Sequence, residues 1–138
     1  MPPRHLLHAV AVHFPIALLT AGWAAFVARR RAGWLSNAAE GLLWSGTAAA
    51  CVALGLGLLA EDTVPHVPSA WRTLALHESL AWWTAGAFTA LSLWRWRKPS
   101  AGETVFAVAW GAACVLLLAT AREGGELVFV HGVGVLRP

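Results

Sequence analysis

Four apolar stretches, each close to the ~20 residues a helix needs to cross a hydrocarbon core, alternate with short polar breaks along the chain. They fall at about 10–28, 41–60, 74–94 and 105–121. In lipid an open strand would leave its backbone groups unpaired, so each stretch is expected to be a helix. The expected fold is all-α: an integral membrane four-helix bundle, with residues 1–138 as one four-span domain. An even number of spans puts both termini on one side, expected to be non-cytoplasmic. The first stretch resembles a secretory leader, but its basic cluster Arg29-Arg30-Arg31 follows the apolar run instead of preceding it, so a retained helix is expected. After the fourth stretch, residues 126–135 alternate apolar residues with glycine and are too short to span. They are expected to form a short C-terminal lid over the outer mouth.

Composition agrees. Hydrophobic residues make up 58% and charged residues 12% of the chain, against roughly 25% charged in a soluble domain. The mean hydropathy is +0.61. A net charge of +3 would suit nucleic acid, but the basic residues lie between spans, so that partner is excluded and the lipid bilayer is the expected one. Arg29, Arg30, Arg31, Arg95, Arg97 and Lys98 share one face with Glu40 and Glu103. Arg4, Arg72, Arg122 and Arg137 share the other with Glu61, Asp62, Glu78, Glu123 and Glu126. The basic-rich face is the cytoplasmic one by the positive-inside rule, in a multi-pass protein of a bacterial inner membrane.

That orientation sorts the histidines. His5, His8, His13, His66, His77 and His131 all fall at or beyond the outer, periplasmic ends of the stretches. Imidazoles gathered at one mouth of a bundle suit haem or metal ligation, or proton handling. His13, in the run Val12-His13-Phe14-Pro15, and His77, three residues into the third stretch, lie at matching depth on different helices. They are the first choice for a pair of axial haem ligands. His8 precedes His13 by five residues, about 140° around a helix, so the two do not share a face. His8 and His131 are expected to be a second ligand pair or supporting partners, and His5 and His66 surface histidines. Arg72, on the histidine side, is expected to pair with a haem propionate.

Other chemistry finds little support. There is no nucleophile–base pattern, Gly-rich phosphate loop, HExxH motif or Glu-x-x-His pair. Cys51 and Cys114 match neither CxxC nor CxxCH and are expected to be small core residues. Most of the nine tryptophans are expected to form interfacial belts, with Trp82 and Trp83 also placed to pack on a cofactor. Gly46, Ala49, Ala53 and Gly57 are expected to let helices approach closely.

Two end motifs carry a resemblance. His8-Ala9-Val10-Ala11-Val12-His13-Phe14-Pro15-Ile16-Ala17-Leu18 is similar to the H-P-x-x-V-H-F-P-I-A-L opening of domain-of-unknown-function family 2231. Gly124-Gly125-x-Leu127-Val128-Phe129-x-His131-Gly132-Val133-Gly134-Val135 resembles that family's G-G-x-L-V-Y-x-H-G-x-G-V ending. His77 matches its third-helix histidine. Ala9 stands for the usual proline and Phe129 for tyrosine, and the lost proline places His13 ahead of His8 in the carry-over. The resemblance implies a small four-helix bacterial membrane domain and singles out His8, His13, His77 and His131. Family members joined to cytochrome-type domains suggest respiratory redox work.

The expectation is thus a membrane b-type cytochrome-like electron-transfer subunit with haem b at the periplasmic mouth. It would link a periplasmic redox protein, or subunits of a larger membrane redox complex, to the quinone pool or another membrane carrier, and an electron-transfer subunit is expected ahead of a stand-alone catalyst. The alternatives are a copper or zinc site built from the same histidines, and a cofactor-free membrane anchor of a larger complex.

Overall fold

A computed structural model describes residues 4–63, 67–98 and 102–135. His66 and Arg137 lie outside these. The described residues form five helices and no strand: α1 (Arg4–Ala11), α2 (His13–Ala28), α3 (Trp34–Glu61), α4 (Trp71–Arg97) and α5 (Glu103–Phe129). One turn of 3-10 helix, Pro68–Ala70, leads into α4. The chain is all-α, as expected.

The first limb is broken where its sequence requires it. Pro15 brings no N–H and disfavours helical geometry at Phe14, and the break falls one turn earlier, at Val12. The Val12 N–H donates to the His8 carbonyl at 3.1 Å and closes α1. Helical structure therefore begins well outside the expected first span and carries His5 and His8 with it.

α2, α3, α4 and α5 close into a ring: α2 packs on α3 and α5, and α4 packs on the same two neighbours. α1 lies against α3. Three segments are long and apolar enough to cross a membrane: His5–Ala28, Trp34–Glu61 and Glu103–Phe129. α4 has the length, 27 residues or roughly 40 Å, but not the hydropathy. The physical reason is its load of Arg72, His77, Glu78, Arg95, Arg97 and five tryptophans. Packed on α3 and α5, it shares their depth.

The two ends of the bundle are filled differently. Phe26, Phe88, Phe106 and Trp110 are fully buried towards the basic end, with Phe26 and Phe106 edge to face at 5.2 Å. Two ion pairs join helices there: Arg29 Nη2 with Glu103 Oε2 at 2.7 Å, and Arg95 Nη2 with Glu40 Oε1 at 2.8 Å. Towards the histidine end Ala53, Ala60, Thr84 and Thr120 are buried, with Glu123 and Leu127, and Gly57 is half-buried. Close approach is real at Gly46, where an added Cβ would lie 2.6 Å from Leu19 Cγ.

α5 runs about two turns beyond the expected fourth span, so residues 126–129 are helix and only the turn at 130–135 remains of the expected lid. Gly132 (φ 67°) ends it in the left-handed conformation, its N–H donating to the Val128 carbonyl at 3.1 Å. Cys114 is buried, whereas Cys51 is exposed on the outside of the bundle, and both are free thiols.

Candidate functional site

The imidazole that meets His77 is His8, not the expected His13. The ring centres of His8 and His77 are 6.4 Å apart, with planes crossed at 80°. His8 reaches inward from α1 and its Nδ1 lies 2.9 Å from the Ala53 carbonyl of α3. His77 reaches inward from α4 and its Nδ1 lies 2.9 Å from the Thr120 carbonyl of α5. A carbonyl can only accept, so each Nδ1 carries the proton and donates it. Each Nε2 is then a bare lone pair, and no hydrogen bond occupies either one among the described residues. Metal-ligating histidines commonly donate their other ring N–H to a carboxylate, a backbone carbonyl or water, and both of these rings donate to a backbone carbonyl.

Each ring also rests on a glycine one turn beyond the carbonyl it binds. A Cβ on Gly57 would lie 3.0 Å from His8 Cε1, and one on Gly124 would lie 3.0 Å from His77 Cε1. On the α4–α5 side the Thr84 and Thr120 hydroxyls bond each other at 2.8 Å, and Thr120 Oγ1 also donates to the Leu116 carbonyl. Glu123 is buried in the neighbouring turn of α5, where Arg122 Nη1 donates to its Oε1 at 2.8 Å.

The remaining expected residues sit apart from the pair. His13 is exposed, and its Nδ1 donates to the Ala9 carbonyl at 2.8 Å, one turn back on its own chain. It is His8 that turns inward, with its Nδ1 on the Ala53 carbonyl. His131, in the turn after α5, brings Nε2 to 3.4 Å from Thr73 Oγ1 and so ties the C-terminal turn to the start of α4. Arg72 is exposed in the first turn of α4. Trp82 and Trp83 are exposed, which turns both rings away from the bundle interior. His5 is half-buried in α1, not in an exposed loop, with Nδ1 enclosed and without a hydrogen-bond partner.

The sequence held the signal for His8. The buried positions of α2 are Pro15, Leu19, Gly22 and Phe26, a stripe with steps of 4, 3 and 4, and His8 lies seven residues before its first member. His13 is off that stripe. Depth reckoned from an assumed span start picked His13; the phase of the stripe picks His8.

These features define an all-α membrane bundle with two imidazoles close together near one end, each donating to a backbone carbonyl. The chain belongs to the family described as predicted membrane protein (DUF2231), which matches residues 4–137. No curated protein and no solved structure matches it.

Proposed function

We propose that this protein is a membrane b-type cytochrome-like electron-transfer subunit whose haem is held between His8 and His77. The observation that carries the reading is the geometry of the pair. A ligating imidazole nitrogen sits about 2.0 Å from its metal and about 1.1 Å from its own ring centre, so two rings opposed across one ion have centres about 6.2 Å apart. The measured spacing is 6.4 Å. The rest of the donor set fits haem better than a bare ion. Among the described residues no three His, Cys, Asp or Glu side chains converge on one point. Zinc and copper sites draw three or four ligands from the protein, whereas a haem brings four nitrogens and asks for two. Gly57 and Gly124, each without a side chain, lie against the two rings.

A haem bound there would supply a one-electron carrier, taking an electron from a reduced donor and passing it to an oxidised acceptor with no atom transferred. The chain's own part is ligation, orientation of both rings through their carbonyl bonds, and exclusion of water by the packed helices. Arg72 stands at the same end, available to an anionic edge. The setting we propose is a bacterial inner membrane with the histidine end facing the periplasm. There the partners would be a periplasmic redox protein or the subunits of a larger complex on one side, and the quinone pool or another membrane carrier on the other. The basic residues at the opposite loops support that orientation.

The test is a reduced-minus-oxidised visible spectrum of protein expressed with ample haem, as wild type, His8→Ala, His77→Ala and His13→Ala. Expected is a sharp α-band in wild type and His13→Ala, weakened or lost in the other two. A featureless wild-type spectrum overturns the cytochrome reading; stoichiometric copper or zinc would then support the metal alternative, and neither would leave the anchor.

A further inference from the structure

Every buried position of α2 and α3 has a buried counterpart at a fixed step in α4 and α5, which bury Ala85, Ser92, Cys114 and Glu123 besides. On the first helix of each half, His8, Pro15, Leu19, Gly22 and Phe26 run in the same steps as His77, Thr84, Phe88, Leu91 and Arg95. Every pair is 69 positions apart. On the second helix of each half, buried Ala39, Leu43, Gly46, Ala50, Ala53 and Ala60 correspond to buried Phe106, Trp110, Ala113, Leu117, Thr120 and Leu127. Every one of these pairs is 67 positions apart. The residue types differ at almost every step, so the repeat lies in the spacing of buried positions and not in identity.

The contacts repeat as well. His8 donates to Ala53 and rests on Gly57; His77 donates to Thr120, which is 53 plus 67, and rests on Gly124, which is 57 plus 67. Both hydrogen bonds are 2.9 Å and both Cβ approaches 3.0 Å. Two ion pairs also join the halves, Arg29 with Glu103 and Arg95 with Glu40, at positions that the 69- and 67-residue steps do not relate. Helix neighbours do follow the exchange of halves, since α2 and α4 each pack on α3 and α5.

From this we infer that the chain is a duplicated helix hairpin, its halves related by a two-fold axis along the bundle that passes between His8 and His77, and that Gly57 and Gly124 are equivalent positioning residues for those rings. The inference rests on the haem reading and deepens it. A two-fold site presents the same donor from both sides, so it takes a ligand with two equivalent faces, as a metalloporphyrin has. Neither glycine touches the ligand. Each sets how far its imidazole can reach, because a methyl group there must push Cε1 away from a ring whose Nδ1 is pinned to a carbonyl one turn back.

The experiment is ferric electron paramagnetic resonance on the haem-loaded full chain, as wild type, Gly57→Ala, Gly124→Ala and Gly55→Ala. Gly55 has open space where a Cβ would go. Imidazole planes crossed at 80° leave the iron d-orbitals nearly degenerate, so wild type should give a strongly anisotropic low-spin signal. Gly57→Ala and Gly124→Ala should each lose that signal to a high-spin form, to the same extent, and recover it on adding free imidazole; Gly55→Ala should match wild type. A wild-type signal unchanged in either variant, or changed in only one, overturns the inference while leaving the haem reading intact. A wild type with no bis-imidazole signal overturns both. Should an alanine variant fail to fold, His8→Gly and His77→Gly with added imidazole replace it: recovery of the same g values by both is expected, and recovery by one alone refutes the equivalence.

Discussion

Gly46 gives the sharpest test of how the bundle is held together. A Cβ placed there would sit 2.6 Å from both Cγ and Cδ2 of Leu19, and 3.2 Å from Leu18 Cβ. Ordinary contact begins at 3.4 Å, so Leu19 would have to retreat by 3.4 − 2.6 = 0.8 Å. It has nowhere to go. Its side chain is fully buried, and its carbonyl accepts from Trp110 Nε1 at 3.2 Å and from Cys114 Sγ. Gly46→Val adds three carbons where one does not fit, which places the cost at or above the upper end of core overpacking, about 3 kcal/mol. Valine also isolates the steric effect, because glycine and valine differ by only a few tenths of a kcal/mol in helix propensity. Gly55→Val, on the same helix with open space at the position, should therefore lie within about 0.5 kcal/mol of wild type. The assay is unfolding in mixed micelles of rising SDS fraction, followed by circular dichroism. Equal midpoints for the two variants would refute the claim that α2 and α3 are locked through a glycine contact.

Other outcomes follow from the same contacts. Glu40→Ala leaves the Arg95 guanidinium, 10% exposed, without its carboxylate and should cost about 1–3 kcal/mol; a double-mutant cycle with Arg95→Ala should show positive coupling, and strict additivity would contradict the pairing. Trp110→Phe keeps the ring but removes the donor to the Leu19 carbonyl, for a loss of about 1 kcal/mol in the same unfolding assay. Orientation is checked by labelling single cysteines in spheroplasts with an impermeant maleimide: Ser69→Cys should react at once and Gly33→Cys only after permeabilisation, and the reverse order would invert the topology.

Much of the fold was legible because a bilayer enforces it. Length and hydropathy alone predict helices near 10–28, 41–60 and 105–121, and the gathering of His8, His13, His77 and His131 at one end needs no structure. α4 was legible by length, although its charged residues and tryptophans keep it below the hydropathy of the other three. His77 could be placed because α4 is unbroken at that point. His8 could not be placed by depth, since α1 continues outward past the break at Val12 and carries it inward to the level of the pair. The end of α5 was hidden for a different reason. Two successive glycines disfavour helix by about 1 kcal/mol each, so Gly124-Gly125 reads as a helix end. What overrides that preference is tertiary: the His77 ring occupies the space a side chain would need at Gly124. The duplication escaped notice because it is written in the spacing of buried positions, with Pro15 answered by Thr84 and Phe26 by Arg95.

The unequal filling of the two ends has an electrical consequence. Between the imidazole pair and the basic loops stand Phe26, Phe88, Phe106 and Trp110, with the bonded hydroxyls of Thr47 and Ser92 beside Phe88, and two ion pairs close that end. The histidine pair lies on the far side of that aromatic layer from the basic loops. On the proposed cytochrome reading, charge arriving at His8 and His77 would have its shortest exit on the side from which it came. Each elementary charge driven across a bilayer does work of about 2.3 kcal/mol per 100 mV, and turnover confined to the histidine end would do none of it. On that reading the bundle would relay electrons along one face of the membrane without drawing on, or adding to, the voltage across it.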